Sequence, residues 1–209
     1  MVESAPKSAS VGRPRSAAAD SHAAIMDAVY ALLQETSVRE LTMEAIAKRA
    51  GVGKPTLYKW WDSKAALVLT MFHERLAGEI KPSQKVTAEA AIRTRVRRLI
   101  TEFQGLFGKV MAELIAEGQS DPEILRDLFD RHISSRRAAT IADIERGKAD
   151  GEFRADTDPE LLIDQIIGPI YYRMLLRFEP LTREYGDKLI DQVLKGQRPP
   201  KSGSQRGSE

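Results

Sequence analysis

The chain contains no cysteine. Disulfides, zinc–thiolate centres and thiol nucleophiles are thereby excluded, and a reducing cytoplasm is the natural setting. A large excess of either charge is missing too: 32 basic against 30 acidic residues leave a net charge of +2. Any partner chosen by charge must therefore be read from where the cations lie, not from how many there are. Aromatic residues make up only 6% of the 209 positions, and no long apolar run exists. The longest, Ile166 to Tyr172, is broken by Gly168-Pro169 and is far shorter than the ~20 residues of a membrane-crossing helix. The N-terminus lacks the apolar segment of a secretory signal. These absences point to a soluble, cytoplasmic protein that does not contact a membrane.

Enzyme signatures are also wanting. Gly51-Val-Gly-Lys-Pro-Thr56 superficially suggests a phosphate loop, but Lys48 stands where the first glycine is required. In a dinucleotide fingerprint, Thr56 would occupy the place of the last glycine. His22, His73 and His132 are scattered without zinc-binding spacing, which leaves His73-Glu74 and His132 near Asp130 as weak metal sites at best. No nucleophile elbow occurs. The expectation is no catalytic residue, no metal and no cofactor.

What is present is helical periodicity between two unpatterned ends. Residues 1–20 are rich in Ser, Ala and Pro and read as a disordered arm, and 196–209 as a disordered tail. Ile25, Val29, Leu32 and Leu33 give the first helix, from Asp20-Ser21 to about Thr36, an apolar stripe. Thr42 is placed to cap a short helix over 43–50, and Gly51 to end it in the left-handed conformation. A second short helix follows over about 54–60, and Asp62-Ser63 caps a longer one reaching about Ile80. About five more helices follow Thr87. Two open with Asp-Pro-Glu, at 121–123 and 158–160: a cap, a proline needing no N–H, and a carboxylate at the positive end of the helix dipole. The spacing predicts an all-α fold, with a three- to four-helix domain over 21–80, a boundary at Lys81-Pro82-Ser83, and a larger helical domain over 84–195.

Thr42 to Trp61 carries the function. Two short helices meet at a tight turn, with Ala47 small enough for close packing, Gly51 making the turn, and Ile46, Ala50, Val52, Leu57 and a tryptophan forming a shared core. That is a helix-turn-helix. Charge placement agrees. Between Lys48 and Lys64 there are five cations (Lys48, Arg49, Lys54, Lys59, Lys64) against Asp62 alone, a local +4 that is twice the net charge of the chain. Lys54, Pro55, Thr56 and Lys59 lie at the start and exposed side of the second helix, where side chains reach base edges in the major groove. Trp60 is a further candidate contact whose ring could equally pack, whereas Trp61 is expected to pack.

The order of this region resembles the TetR family of bacterial repressors. The resemblance rests on Gly12-Arg-Pro-Arg15, the capped helix, Leu41 to Tyr58, and Trp61-Asp-Ser-Lys-Ala-Ala-Leu, and is strong over about Ile25 to Leu69. Where the family more often has His-Phe or His-Tyr-Phe, this chain has Lys59-Trp60-Trp61. The resemblance implies phosphate contacts from Thr42, Tyr58 and Lys64, which set register rather than sequence. Arg13 and Arg15 are candidates for the adjacent minor groove.

A single recognition helix offers few base contacts, so a homodimer on a pseudo-palindromic double-stranded DNA operator is expected. Leu161, Leu162, Gln165, Ile166, Pro169, Ile170 and Met174 of 159–178, continued by Leu189, Ile190 and Val193 of 183–194, offer a dimer face, internal core being the competing explanation for some of them, and the family likeness implies a four-helix bundle from the last two helices of each subunit. For a small-molecule effector, apolar or amphipathic, the candidate lining is Phe103, Phe107, Met111, Tyr171, Tyr172 and Met174, with Pro169 kinking its helix to open space. The run Arg93, Arg95, Arg97, Arg98 could support extra DNA contact but reads rather as a solvated helix face. A DNA-binding protein without effector control, or an activator, is the other reading open at this point.

Overall fold

A computed structural model describes residues 17–76 and 86–199. Within them the fold is all-helical: α1 Ala17–Glu35, α2 Met43–Ala50, α3 Lys54–Tyr58, α4 Lys64–Leu76, α5 Ala88–Phe103, α6 Leu106–Gly118, α7 Pro122–Leu128, α8 Ser134–Ala149, α9 Pro159–Leu176 and α10 Arg183–Lys195. A single π-helical turn, Phe129–Ile133, joins α7 to α8. No strand occurs among the described residues, and none of their helices is long and apolar enough to cross a membrane.

The caps do what their residue types dictate. The Thr42 hydroxyl accepts the Ala45 N–H at 3.1 Å, Asp121 accepts from Glu123 at 3.1 Å, and Asp158 accepts from Glu160 and Leu161 at 2.9 and 3.2 Å. Each satisfies donors that the first helical turn leaves orphaned. Gly51 adopts φ +68°, and the Val52 N–H then reaches back to the Ala47 carbonyl at 3.0 Å, closing α2 with a Schellman-type bond.

One contiguous apolar core runs the length of the molecule. Ile25, Val29 and Leu33 of α1 are buried against Ile46, Leu57, Leu67 and Met71, so the helix-turn-helix is held on α1 and α4. Further along, Phe72 of α4 packs edge-on against Phe107 of α6, ring centroids 5.0 Å apart. Polar ties add to this packing. Glu113 of α6 accepts the Val38 N–H at 2.7 Å, Lys109 donates to the Thr36 carbonyl at 3.2 Å, and Ser63 donates to Asp127 of α7 at 2.9 Å. Close approach of α10 to α5 depends on Gly186, where an added Cβ would lie 2.3 Å from Ile100 Cδ1.

Several expectations are adjusted. Helix α1 begins at Ala17, inside the stretch expected to be an arm, and α3 is two residues shorter than expected, Lys59 and Trp60 forming the turn after it. Helix α4 is described to Leu76, and the Lys81-Pro82-Ser83 boundary lies outside the described residues. Gln197, expected in the tail, accepts the Arg154 N–H at 2.8 Å and the Thr157 hydroxyl at 3.1 Å. Pro169 stands inside an uninterrupted α9.

Candidate DNA-binding surface and ligand cavity

The second helix of the helix-turn-helix anchors itself with one side chain. Leu57 is fully buried, while Lys54, Pro55, Tyr58, Lys59 and Trp60 are exposed and Thr56 is half-buried. The Lys54 ammonium pairs with Glu44 of α2 and lies 5.8 Å from the Tyr58 ring centroid. Lys59 lies 5.7 Å from the ring of Trp60, and Trp60 itself is 61% exposed. Trp61 is the opposite case. It is 5% exposed, donates its indole N–H to the Thr70 hydroxyl at 3.1 Å and packs beside His22. Adjacent tryptophans therefore divide into an anchor and an exposed ring.

Besides Lys54, two more cations of the basic run have partners within the chain. Arg49 makes a two-toothed pair with Glu35 at 3.0 and 3.1 Å. Lys64, a phosphate contact by family likeness, turns its ammonium to the Val38 carbonyl and lies 3.9 Å from Glu117. Thr42 is exposed, but its hydroxyl already accepts the α2 cap bond. Arg13 and Arg15 lie outside the described residues.

A second feature lies between α4, α5, the π turn, α8 and α9: a cavity of about 380 Å³, within the range of small-molecule sites, about 300–1,000 Å³. Of the six residues expected to line it, only Tyr171 does. Phe103, Phe107, Met111 and Met174 are buried core, and Tyr172 is 57% exposed on the outside of α9. Phe103 and Phe107 form the layer behind, with Phe103 edge-on to Tyr171 at 5.1 Å and Phe107 4.8 Å from the His132 ring.

The actual lining joins an apolar wall (Ile92, Val96, Leu99, Ile163, Ile166, Ile167) to a polar one bearing Arg95, Arg98, Arg136, Arg137 and His132. The arginine run of α5 is thus not a solvated face. Arg93 and Arg97 bind Asp187 of α10, the latter at 2.8 Å, while Arg95 and Arg98 face the cavity. The signal was available in the sequence: Arg95 and Arg98 share helical spacing with Ile92, Val96 and Leu99, so a helix turning those residues inward carries two guanidiniums along. His132 had no such signal, because the π turn that places it shifts the helical register.

Electrostatics follow from burial. His132 is 2% exposed, and neither ring nitrogen has a partner among the described residues. Desolvation, followed by the positive charges of Arg136 and His73, holds its pKa down to about 3. Burial likewise pushes the Tyr171 phenol up to about 12. His132 and Tyr171 are therefore neutral hydrogen-bonding groups. Among the described residues no three His, Cys, Asp or Glu side chains cluster as metal ligands would; Glu74 instead holds His22 at 2.8 Å.

A helix-turn-helix with an exposed cationic second helix, carried on an all-helical body, defines a DNA-binding protein of the helix-turn-helix class. Comparison with known proteins narrows this. Residues 25–71 match the profile of bacterial regulatory proteins of the tetR family, and residues 82–193 that of the tetracyclin repressor-like C-terminal domain. The HTH-type transcriptional regulator YdeS of Bacillus subtilis is 34% identical over 185 residues, covering 88% of this chain and 92% of its own. The crystal structure of the TetR family transcription regulator SCO0332 superposes with a TM-score of 0.68 at 29% identity, over 86% of this chain and 100% of that one. FadR of Bacillus subtilis, solved with stearoyl-CoA, shares the fold with a TM-score of 0.66 at 19% identity, over 84% and 98%. The chain belongs to the TetR family and is a DNA-binding transcriptional regulator.

Proposed function

We propose that the protein is a homodimeric repressor, working in the cytoplasm, that holds a pseudo-palindromic operator and is released by a small molecule bound in the cavity. The observation that carries this reading is shared use of α4. Ser63 at the start of this helix follows directly on the helix-turn-helix, and His73 and Leu76 at its end line the cavity. A ligand that favours a different α4 position changes the placement of the recognition helix, and it shifts the equilibrium by its difference in affinity for the two arrangements. FadR, with its bound stearoyl-CoA, is a case of this fold accommodating a small molecule.

In this reading Lys54, Pro55, Thr56 and Lys59 meet base edges, and Tyr58 and Trp60 lie against the sugar–phosphate backbone. Thr42 contributes a backbone contact. Lys64 does so only if it leaves its carbonyl partners, and Arg13 and Arg15 supply the minor-groove contact. The dimer face is the outer stripe of α9. Leu161, Tyr172, Leu175 and Leu176, with Phe178 just beyond, are 39–58% exposed; Tyr172 follows Leu161 by about three whole turns, and Leu175 and Leu176 flank the next turn, so the four share one side of the helix. Gly168 lies on the same side with open space around it, which lets a partner helix approach. Exposed apolar residues gathered on one side of a helix support a protein interface there.

The test is operator binding with and without effectors. A sequence enriched by the protein from random DNA is expected to be two-fold symmetric and to be released by at least one member of a metabolite panel. An operator bound with unchanged affinity by a protein whose cavity is occupied by that compound argues against ligand control.

A further inference from the structure

We propose that the cavity is built for an anionic amphiphile, a molecule with one carboxylate-like head and an apolar body; this rests on the ligand-controlled reading above and adds the chemical class. Charge pairing around the polar wall does not close. Glu102, 8% exposed, is shared by Arg98 at 2.8 Å and Arg136 at 2.6 Å. Asp143, 4% exposed, is shared by Arg95 at 2.9 Å and Arg146 at 2.9 Å. Asp143 thus meets two guanidiniums with a single charge, leaving one positive charge over at that pair. Arg137, at the rim, is held by the exposed carboxylates of Glu160 and Asp164, which solvent screens.

The surplus is placed where a ligand can use it. Arg98 also donates to the Leu76 carbonyl and Arg146 to the Val86 carbonyl, so these two tie helices to neighbouring backbone. Arg95 and Arg136 have one ion pair each, through Nε and Nη1 respectively, and a guanidinium carries five N–H donors. Both line the cavity, and among the described residues no carboxylate does. A cationic head would face this excess of its own sign, while an uncharged oxygen would accept from the spare donors without the charge assistance that a carboxylate adds.

His132 adds an independent observation. Its side chain is buried on the cavity wall, with both ring nitrogens unpartnered among the described residues, an arrangement that costs stability until a partner arrives. Its neutral imidazole donates from one nitrogen, so a carboxylate seated among Arg95, Arg136 and His132 gains a third donor. The opposite wall of Ile92, Val96, Ile163 and Ile166 takes the apolar body.

The full-length protein is titrated calorimetrically with two apolar bodies, octyl and phenyl, each carrying three heads: octanoate and benzoate, octanol and benzyl alcohol, octyltrimethylammonium and benzyltrimethylammonium. At least one carboxylate is expected to bind roughly tenfold or more tighter than the matching alcohol, the margin of a charge-assisted hydrogen bond, and the cations not at all. Arg95→Gln and Arg136→Gln each leave one guanidinium on every buried carboxylate, so the fold is retained. Each is expected to erase most of that margin without weakening the alcohol, and His132→Leu to reduce it. An alcohol or cation binding as tightly as its carboxylate overturns the anionic class and leaves ligand control standing. Carboxylate binding indifferent to all three substitutions also overturns it. No binding by any of the six probes overturns the ligand reading and this proposal with it.

Discussion

Ser63 Oγ accepts the Ala66 N–H at 2.9 Å and donates to the Asp127 carboxylate at 2.9 Å. One hydroxyl therefore caps α4 and ties it to α7. Asp127 in turn accepts from Arg131 at 3.1 Å, in the π turn that carries His132. A continuous chain of contacts thus runs from the cavity wall to the helix that follows the DNA-binding motif.

Asp127→Ala keeps the Ser63 cap and removes the tie. Effector response is expected to weaken while operator affinity without effector stays nearly unchanged. The ratio of affinities with and without ligand should shrink by roughly twofold to thirtyfold, the span of coupling energies of about 0.5–2 kcal/mol. Fluorescence anisotropy with labelled operator measures both numbers, and an unaltered ratio would remove this tie from the account.

The two tryptophans are expected to separate stability from binding. Trp61→Ala loses a buried ring and its bond to Thr70, and is expected to cost roughly 3–5 kcal/mol in urea unfolding. Trp60→Ala touches nothing buried and is expected to change stability by no more than about 0.5 kcal/mol, yet to weaken operator binding. Loss of stability from Trp60→Ala would mean that the ring packs in solution.

His132 sets a pH window. The unfolded chain takes up a proton on this residue near its ordinary pKa of 6.5, whereas the folded chain refuses it until about 3. Unfolded molecules bind the extra proton between these values, so stability falls as pH drops through the window and is recovered as it rises. His132→Leu is expected to move the acid-unfolding midpoint to lower pH. At neutral pH, removing the unpartnered nitrogens is expected to stabilise the ligand-free protein by about 1–3 kcal/mol. Thermal melts from pH 4 to 8 check both (that range is chosen from the window itself).

Tyr172→Asp places a charge in the middle of the α9 stripe, where the ring is exposed. Dimer dissociation is expected to rise by roughly a hundredfold or more, as a buried unpaired charge costs several kcal/mol, with helical content unchanged. Sedimentation equilibrium reads this directly. A dimer of undiminished strength would place the interface elsewhere.

How much of this was legible in the sequence depends on whether local chemistry decides the residue's place. Thr42, Gly51, Asp121 and Asp158 act through their own backbone neighbours, so their roles could be read from the chain alone. Leu57 and Ile46 follow from periodicity. The cavity did not, because its walls are drawn from helices far apart in sequence. Phe103, Phe107 and Met111 have the helical spacing of a lining and the burial of a core, and spacing cannot tell these apart. Arg136 was hidden for a different reason: arginine is ordinarily a surface residue, and the buried Glu102 that draws it inward lies on another helix. Lys64 shows the same limit at the DNA-binding end, where its partners are the Val38 carbonyl and, on a distant helix, Glu117.

The central claim is that the exposed face of α3 reads DNA. Its most direct test is selection from random double-stranded DNA by the wild-type chain, followed by affinity measurements on the enriched sequence over a range of salt with Lys54→Ala and Lys59→Ala. The expected result is a two-fold symmetric sequence, affinity that falls steeply with salt, and a loss of roughly tenfold or more for each lysine, with a shallower salt slope wherever a phosphate contact is removed. Enrichment of no sequence, or binding indifferent to both substitutions, would contradict it.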